Sequence, residues 1–294
     1  MSLREYLAEQ QQRIDRELDR LVPGESVLPA TIHRAMRYSL FAGGKRIRPL
    51  LCLAAAGAVS SATEGLATAA CTLEFIHTYS LIHDDLPALD NDDYRRGKLT
   101  SHKVFGEAIA ILAGDALLTL AFQVLSTCLA VDDRRRVLLI AELSVAAGTV
   151  GGMIGGQVAD LEGEGRPPDA ALLESIHRAK TGALLRASVR MGAIYAGAGA
   201  SQLGALSAYG EHIGLAFQMI DDILDVEESS EALGKTAGKD AQQQKITFPA
   251  VYGLAESRRM AEAELQNAHA SLEPFGPSAQ RLRELADLIV RRKT

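Results

Sequence analysis

The chain has 294 residues, a formal net charge of −6, 47% hydrophobic residues and 23% charged residues. Such a composition can bury a core, shows no disorder or low complexity, and lacks the basic stripe of a nucleic-acid binder. An acidic protein that handles anions must gather cations locally, from basic side chains or from metal. Cys52, Cys71 and Cys128 are odd in number, far apart and form no CxxC pair, so they read as buried small hydrophobes in a reducing compartment.

The first twenty residues carry charge throughout and lack the apolar centre of a signal peptide. No window offers about 18 uninterrupted apolar residues, the length of a membrane span. The nearest, 108–125, contains Asp115 and Gln123. A cytoplasmic enzyme with no membrane span is expected.

From there the chain reads as helix after helix. Ala, Leu, Glu, Arg and Gln dominate, and apolar residues recur at three- and four-residue spacing, as in Leu118, Ala121, Val124, Leu125 and Cys128. Neither period-two alternation nor an Asn-Gly or Asp-Gly hairpin turn occurs. Glycine and proline punctuate at 22–24, 42–44, 96–97, 163–168, 197–199, 228–238 and 274–277. No linker-like shift divides the chain, so residues 1–294 are expected to form one all-α domain. Segments 109–129 and 141–161 are expected to be buried on most sides. The second carries Gly148, Gly151, Gly152, Gly155 and Gly156, which close helix packing or a local break would explain.

The segment Gly43-Gly44-Lys45-Arg46-Ile47-Arg48-Pro49 puts permissive backbone beside three cations, a composition suited to a diphosphate. The apolar run 71–82 then leads into Asp84-Asp85-Leu86-Pro87-Ala88-Leu89-Asp90-Asn91-Asp92-Asp93, followed by Arg95 and Arg96. Carboxylates at a helix C-terminus meet an unfavourable dipole and repel one another. Hard divalent cations relieve both problems, and Mg²⁺ typically takes one or two carboxylates plus substrate phosphates. Pro87 and Leu89 predict that the helix deforms there and lets Asp90 turn back towards Asp84. An EF-hand does not fit, because Arg95 stands where its loop needs Gly and Ser101 where it needs Glu.

A second cluster, Phe217-Gln218-Met219-Ile220-Asp221-Asp222-Ile223-Leu224-Asp225, follows another apolar helix. Asp221 and Asp225 are i and i+4 and share a helix face, with Asp222 about 100° round. Two Asp-Asp clusters after two apolar helices suggest the two walls of a metal and polyphosphate site.

With both motifs and the basic residues in order, the chain resembles the trans-prenyltransferases, specifically the farnesyl diphosphate synthases of bacteria, over roughly 43–249. The four residues between Asp85 and Asp90 match the longer bacterial spacing, and the second motif has the DDxxD form. The resemblance implies one bundle of long helices around a central cavity, usually a homodimer. It implies Mg²⁺, three ions with substrate bound, held by Asp84, Asp85, Asp90, Asp221, Asp222 and Asp225. It implies ionisation of an allylic diphosphate, attack by isopentenyl diphosphate, and loss of a proton.

By the same resemblance Gly44, Lys45, Arg48, His77 and Arg96 hold isopentenyl diphosphate. Arg95, Lys180, Thr181 and Lys235 hold the allylic diphosphate, and Gln218 lies near the forming bond. His77 precedes Asp84 by about two helical turns, a separation of roughly 10 Å that suits two diphosphates side by side. Tyr79, with Ser80 beside it, is the floor that sets product length in the family, here fifteen carbons; a twenty-carbon or longer product is the alternative. A non-catalytic prenyl-diphosphate-binding subunit would usually have lost acids from one motif, and both are intact here. Asp115, Gln157 and Asp160 read as structural. The Arg291-Arg292-Lys293 cluster reads either as a further contact to isopentenyl diphosphate or as a solvated tail.

Overall fold

The computed structural model describes residues 1–61, 63–127, 130–167, 169–227 and 245–292. Among them the regular structure is helical except for one two-residue strand pair. The chain divides into two compact units, one of residues Met1–Leu50 and Glu64–Ile140, the other of Leu51–Thr63 and Ala141–Thr294.

The first unit is built on α4 (Leu66–Asp84), with α1 (Leu3–Leu21), α2 (Ala30–Leu40), α5 (Ser101–Phe105) and α6 (Glu107–Thr127) around it. A capping box starts α1: Ser2 Oγ accepts from the Glu5 N–H while the Ser2 N–H donates to Glu5 Oε2 at 2.8 Å. Helix α4 is apolar nearly all round, and Leu73, Phe75 and Ile76 are wholly buried. Each contributes about 1.5–3 kcal/mol by burial. That anchorage holds the aspartates at its end against their own repulsion. The next segments bring one departure from the sequence reading. Tyr94–Arg95 (β1) pairs with Lys98–Leu99 (β2) as a short hairpin. Arg96 and Gly97 both have positive φ, 53° and 73°. A two-residue turn with both φ positive fits strand twist, and Arg-Gly makes it here in place of Asn-Gly.

Helix α6 is long and apolar enough to cross a membrane by length and composition. It buries Ala110, Ala113, Gly114, Leu117, Ala121, Val124 and Leu125 on one side only. Ile111 and Leu112 on the other side are 43% and 53% exposed, so the expectation of burial on most sides fails for this helix. Asp115 sits on that exposed side as well, 3.8 Å from His83 Nε2.

The second unit is built on α11 (Ala200–Glu227), packed by α10 (Ala183–Tyr195), α13 (Leu254–Ser271) and α14 (Gln280–Val290). The glycine-rich helix expected over 141–161 is two helices, α7 (Asp133–Ala147) and α8 (Met153–Gly163). The break falls at 148–152, where Gly151 has φ 66°. Close packing operates further on: a Cβ at Gly156 would lie 2.2 Å from the Lys180 backbone nitrogen. Helix α9 (Ala170–His177) runs into a π-helical turn, Arg178–Gly182. Such widened turns recur at functional sites. The short α12 (Phe248–Tyr252) opens on Thr247, whose side chain caps the Ala250 N–H. The segment 228–244, with Lys235 and Lys239, lies outside the described residues, as do Cys128 and Lys293.

Candidate active site

In the first unit the predicted turn-back occurs. Helix α4 stops at Asp84, and the Asp90 N–H donates to the Asp84 carbonyl at 2.8 Å while the Asp92 N–H reaches the Asp85 carbonyl at 3.2 Å. The acids are thereby gathered on a compact loop. Asp84 and Asp90 are half-buried and Asp85 is buried. Burial raises the Asp85 pKa, and Arg95 opposes the rise. The Arg95 guanidinium forks onto that carboxylate, Nε at 2.8 Å and Nη2 at 2.5 Å from Oδ1, with Asp92 at 3.6 Å. Arg95, assigned to the allylic diphosphate, here answers the charge of its own motif.

The Gly43–Pro49 cations divide by role. Arg46 is buried and has positive φ; its Nη1 meets Glu74 at 2.8 Å, its Nε meets Asp15 at 3.0 Å, and its Nη2 donates to the Leu40 carbonyl at 2.9 Å. It fastens the loop to α1 and α4. Lys45 stays exposed and Arg48 half-buried. Arg96 donates to the Gly43 carbonyl and lies against Gly44, where a Cβ would come within 2.7 Å of its Nη1. The charges of these guanidinium groups reach His77. Burial drives its imidazole well below the ordinary histidine range, and Arg48, Arg96, Arg95 and Arg46 push the same way. The charges of Arg48 and Arg96 thus bear on His77, beside a loop whose Gly44, at φ 128° and against the Arg96 guanidinium, leaves no room for a Cβ. Tyr79 is buried edge-on to the His83 ring at 5.7 Å, and its hydroxyl has no hydrogen-bond partner among the described residues. Burial, then the Asp84 charge, pushes that hydroxyl up to about 12. Ser80 bonds back to the His77 carbonyl at 2.9 Å and stays half-buried.

In the second unit all three aspartates of the second motif remain within α11. Asp221 is half-buried, and Asp222 and Asp225 are buried. Arg292 reaches Asp221 and the Phe217 carbonyl and stacks over the Phe217 ring at 4.1 Å. It is no solvated tail. Lys180, on the π turn, donates to Asp160 at 2.7 Å, and Lys245 Nζ is 3.8 Å from the same oxygen. The sequence reading left Asp160 as structural and so missed it; the only signal was a lone acid in the apolar run 153–161. Thr181 Oγ1 donates to Gln218 Oε1 at 2.7 Å, and Gln218 Nε2 donates to Asp222 Oδ1 at 2.8 Å. His177 and Phe248, also unforeseen, close on Asp222 Oδ2.

Among the described residues no three His, Cys, Asp or Glu side chains converge to hold a metal by themselves. The donors present are hard carboxylate oxygens, and a cation that completes its shell with phosphate and water suits them.

The polyprenyl synthetase family profile matches residues 29–278. The chain is 49% identical to the dimethylallyltranstransferase of Fischerella ambigua over 99% of its own length and 84% of that protein. It is 46% identical to the farnesyl diphosphate synthase of Geobacillus stearothermophilus, covering 99% and 98%. It is 48% identical to the chloroplastic geranylgeranyl pyrophosphate synthase 7 of Arabidopsis thaliana, covering 90% and 77%. Among solved structures, a geranyltransferase from Helicobacter pylori, in complex with magnesium and isoprenyl diphosphate, superimposes with TM-score 0.83 at 33% identity over 97% and 96% of the two chains. With a family match across most of its length and relatives covered nearly end to end, the chain belongs to the polyprenyl synthetase family and is a trans-prenyltransferase of isoprenoid synthesis.

Proposed function

We propose that the chain condenses isopentenyl diphosphate with dimethylallyl and then geranyl diphosphate, and stops at farnesyl diphosphate. The observation that carries the fifteen-carbon limit is Tyr79, a buried aromatic five residues before Asp84 on the same helix. The Geobacillus relative's name points the same way. Similarity to the Arabidopsis enzyme favours a twenty-carbon product as the second reading.

Asp84, Asp90, Asp221 and Asp225 are the proposed ligands of Mg²⁺, three ions when substrate is bound. Asp85, on which Arg95 forks, and Asp222, which accepts from Gln218 and the Phe248 N–H, stand behind them. The bound metal would supply positive charge for the diphosphate leaving group. Lys180, Thr181 and Lys235 steady that diphosphate. Lys45, Arg48, His77 and Arg96 orient isopentenyl diphosphate through its own diphosphate, with Gly44 giving the loop room. The allylic C–O bond breaks, the isopentenyl double bond attacks the allylic carbon, and a proton leaves the new chain for the departed diphosphate. Buried thiols at Cys52 and Cys71 suit the cytoplasm.

A homodimer is proposed on the apolar side of α6, where Ile111 and Leu112 stand exposed; Ile111→Glu with Leu112→Glu should shift the light-scattering mass from dimer to monomer. The product is tested by incubating labelled isopentenyl diphosphate, Mg²⁺ and each allylic starter, then separating products by chain length. Wild type should stop at fifteen carbons and Tyr79→Ala should run to twenty or more. Fifteen-carbon product from a folded Tyr79→Ala enzyme would put the floor elsewhere.

A further inference from the structure

We propose that Asp222 is a positioning residue and not a metal ligand: it fixes the Gln218 amide and the start of α12 in one buried hydrogen-bond relay. The inference rests on reading α11 as the metal-bearing helix of the second unit.

The carboxylate is 2% exposed, and both of its oxygens are addressed by the protein. Gln218 Nε2 donates to Oδ1 at 2.8 Å, the Phe248 N–H donates to Oδ2 at 3.0 Å, and His177 Nε2 stands 3.4 Å from Oδ2. The His177 ring stacks on Phe248 at 5.3 Å, and Phe248 stacks on Tyr252 at 6.1 Å, so the donors are held by packing as well. An ionised carboxylate only accepts, which forces the nitrogen side of the Gln218 amide towards it. The amide oxygen must then face the other way, where Thr181 Oγ1 donates to it at 2.7 Å. Asp222 therefore sets which face of Gln218 is presented beside Thr181. A dication would need lone pairs turned to an open shell. Asp222 has acceptor sites beyond those two N–H donors, but at 2% exposure its carboxylate offers no open side to a hydrated cation. Asp221, on the next face of the helix, meets Arg292 but has a 41% exposed side chain, so a hydrated cation can reach it.

The test uses the full chain and three variants, Asp222→Ala, Asp222→Asn and Asp221→Ala. Melting is measured without metal, Mn²⁺ binding with inorganic pyrophosphate is followed by electron paramagnetic resonance, and steady-state kinetics use Mg²⁺. Asp222→Ala should melt about 4–8 °C lower, because two buried donors lose their acceptor. Its Mn²⁺ affinity should stay within threefold of wild type. Asp222→Asn keeps one acceptor and should fall about half as far in melting. It should lose kcat with little change in KM, and the Asp222→Asn, Gln218→Ala double variant should lose no more kcat than the worse single variant. Unchanged melting, a Mn²⁺ affinity loss beyond threefold, or additive kcat losses would overturn the proposal. Should Asp222→Ala not fold, the Asn variant decides by the same criteria. Asp221→Ala separates the two readings. Normal Mn²⁺ binding in that variant counts against α11 as the metal-bearing helix, while the melting and kcat coupling of the Asp222 variants still judge the relay.

Discussion

The two acidic clusters differ in what answers their charge. The first is met by a guanidinium group, Arg95 forking onto Asp85, and the charges of Arg46, Arg48 and Arg96 act on His77 of the same helix. The second is met at its buried centre by neutral donors, an amide side chain and a backbone N–H on Asp222, while among the described residues Arg292 reaches its outer member Asp221. The backbone explains part of this. The first cluster leaves its helix and folds back, so its acids crowd together and need cations. The second stays helical, so its acids fan out at about 100° per residue and Asp222 can turn to its own partners.

The comparison breaks first on turnover. Asp84→Ala and Asp221→Ala should each cost about a thousandfold in kcat, roughly 4 kcal/mol of transition-state stabilisation, with circular dichroism unchanged. Loss from only one of them would mean that the clusters do not act on the same diphosphate. Next in size is Arg46→Ala. It would leave Glu74, 3% exposed, as an uncompensated buried charge and should lower stability by about 3 kcal/mol in urea. The low end of the range applies because Asp15, its other partner, is half exposed. Lys45→Ala, one residue away, should leave stability unchanged and raise KM for isopentenyl diphosphate. Equal stability loss in both would remove the division of labour within the Gly43–Pro49 segment.

A smaller effect follows from His77. Its folded pKa lies well below the ordinary value, driven by burial and then by Arg48 and Arg96. Below about pH 6.5 the unfolded chain takes up a proton that folded His77 refuses, so stability falls as pH drops, by up to about 1.4 kcal/mol per unit. His77→Gln should flatten the stability curve between about pH 6.5 and 5.5. Parallel curves for the two proteins would show that neither burial nor the neighbouring cations hold the His77 pKa down.

These contrasts were unevenly legible in the sequence. The helical fold, both aspartate motifs and the return of Asp90 to Asp84 could be read from apolar spacing and from Pro87, because local chemistry dictates them. The hairpin at Arg96-Gly97 was not, since Arg is an uncommon choice for positive φ and tertiary bonds to the Gly43 carbonyl help hold it. The glycine run 148–156 announced strain but could not say which glycines break a helix and which admit a neighbour. Asp160, His177 and Phe248 join the site through contacts 20 to 45 residues distant in sequence, and no local pattern encodes those.

Asp160 gives the finest test of the second unit. Its carboxylate holds Lys180 at 2.7 Å and stands 3.8 Å from Lys245, so one buried acid sets the position of one lysine and lies within ionic reach of another. Asp160→Asn keeps the size and one acceptor but removes the charge. Lys180 is 23% exposed, so its ammonium can turn to water and the stability change should stay within about 1 kcal/mol. The ammonium would then no longer be pre-placed, and misplaced binding groups are costly. If Lys180 serves the allylic diphosphate, KM for geranyl diphosphate should rise about three- to tenfold, while KM for isopentenyl diphosphate, proposed to meet Lys45 and Arg48, stays unchanged. Steady-state kinetics with each substrate varied in turn decides it. A uniform rise for both substrates would reduce the two sets of cations to one general attraction for anions.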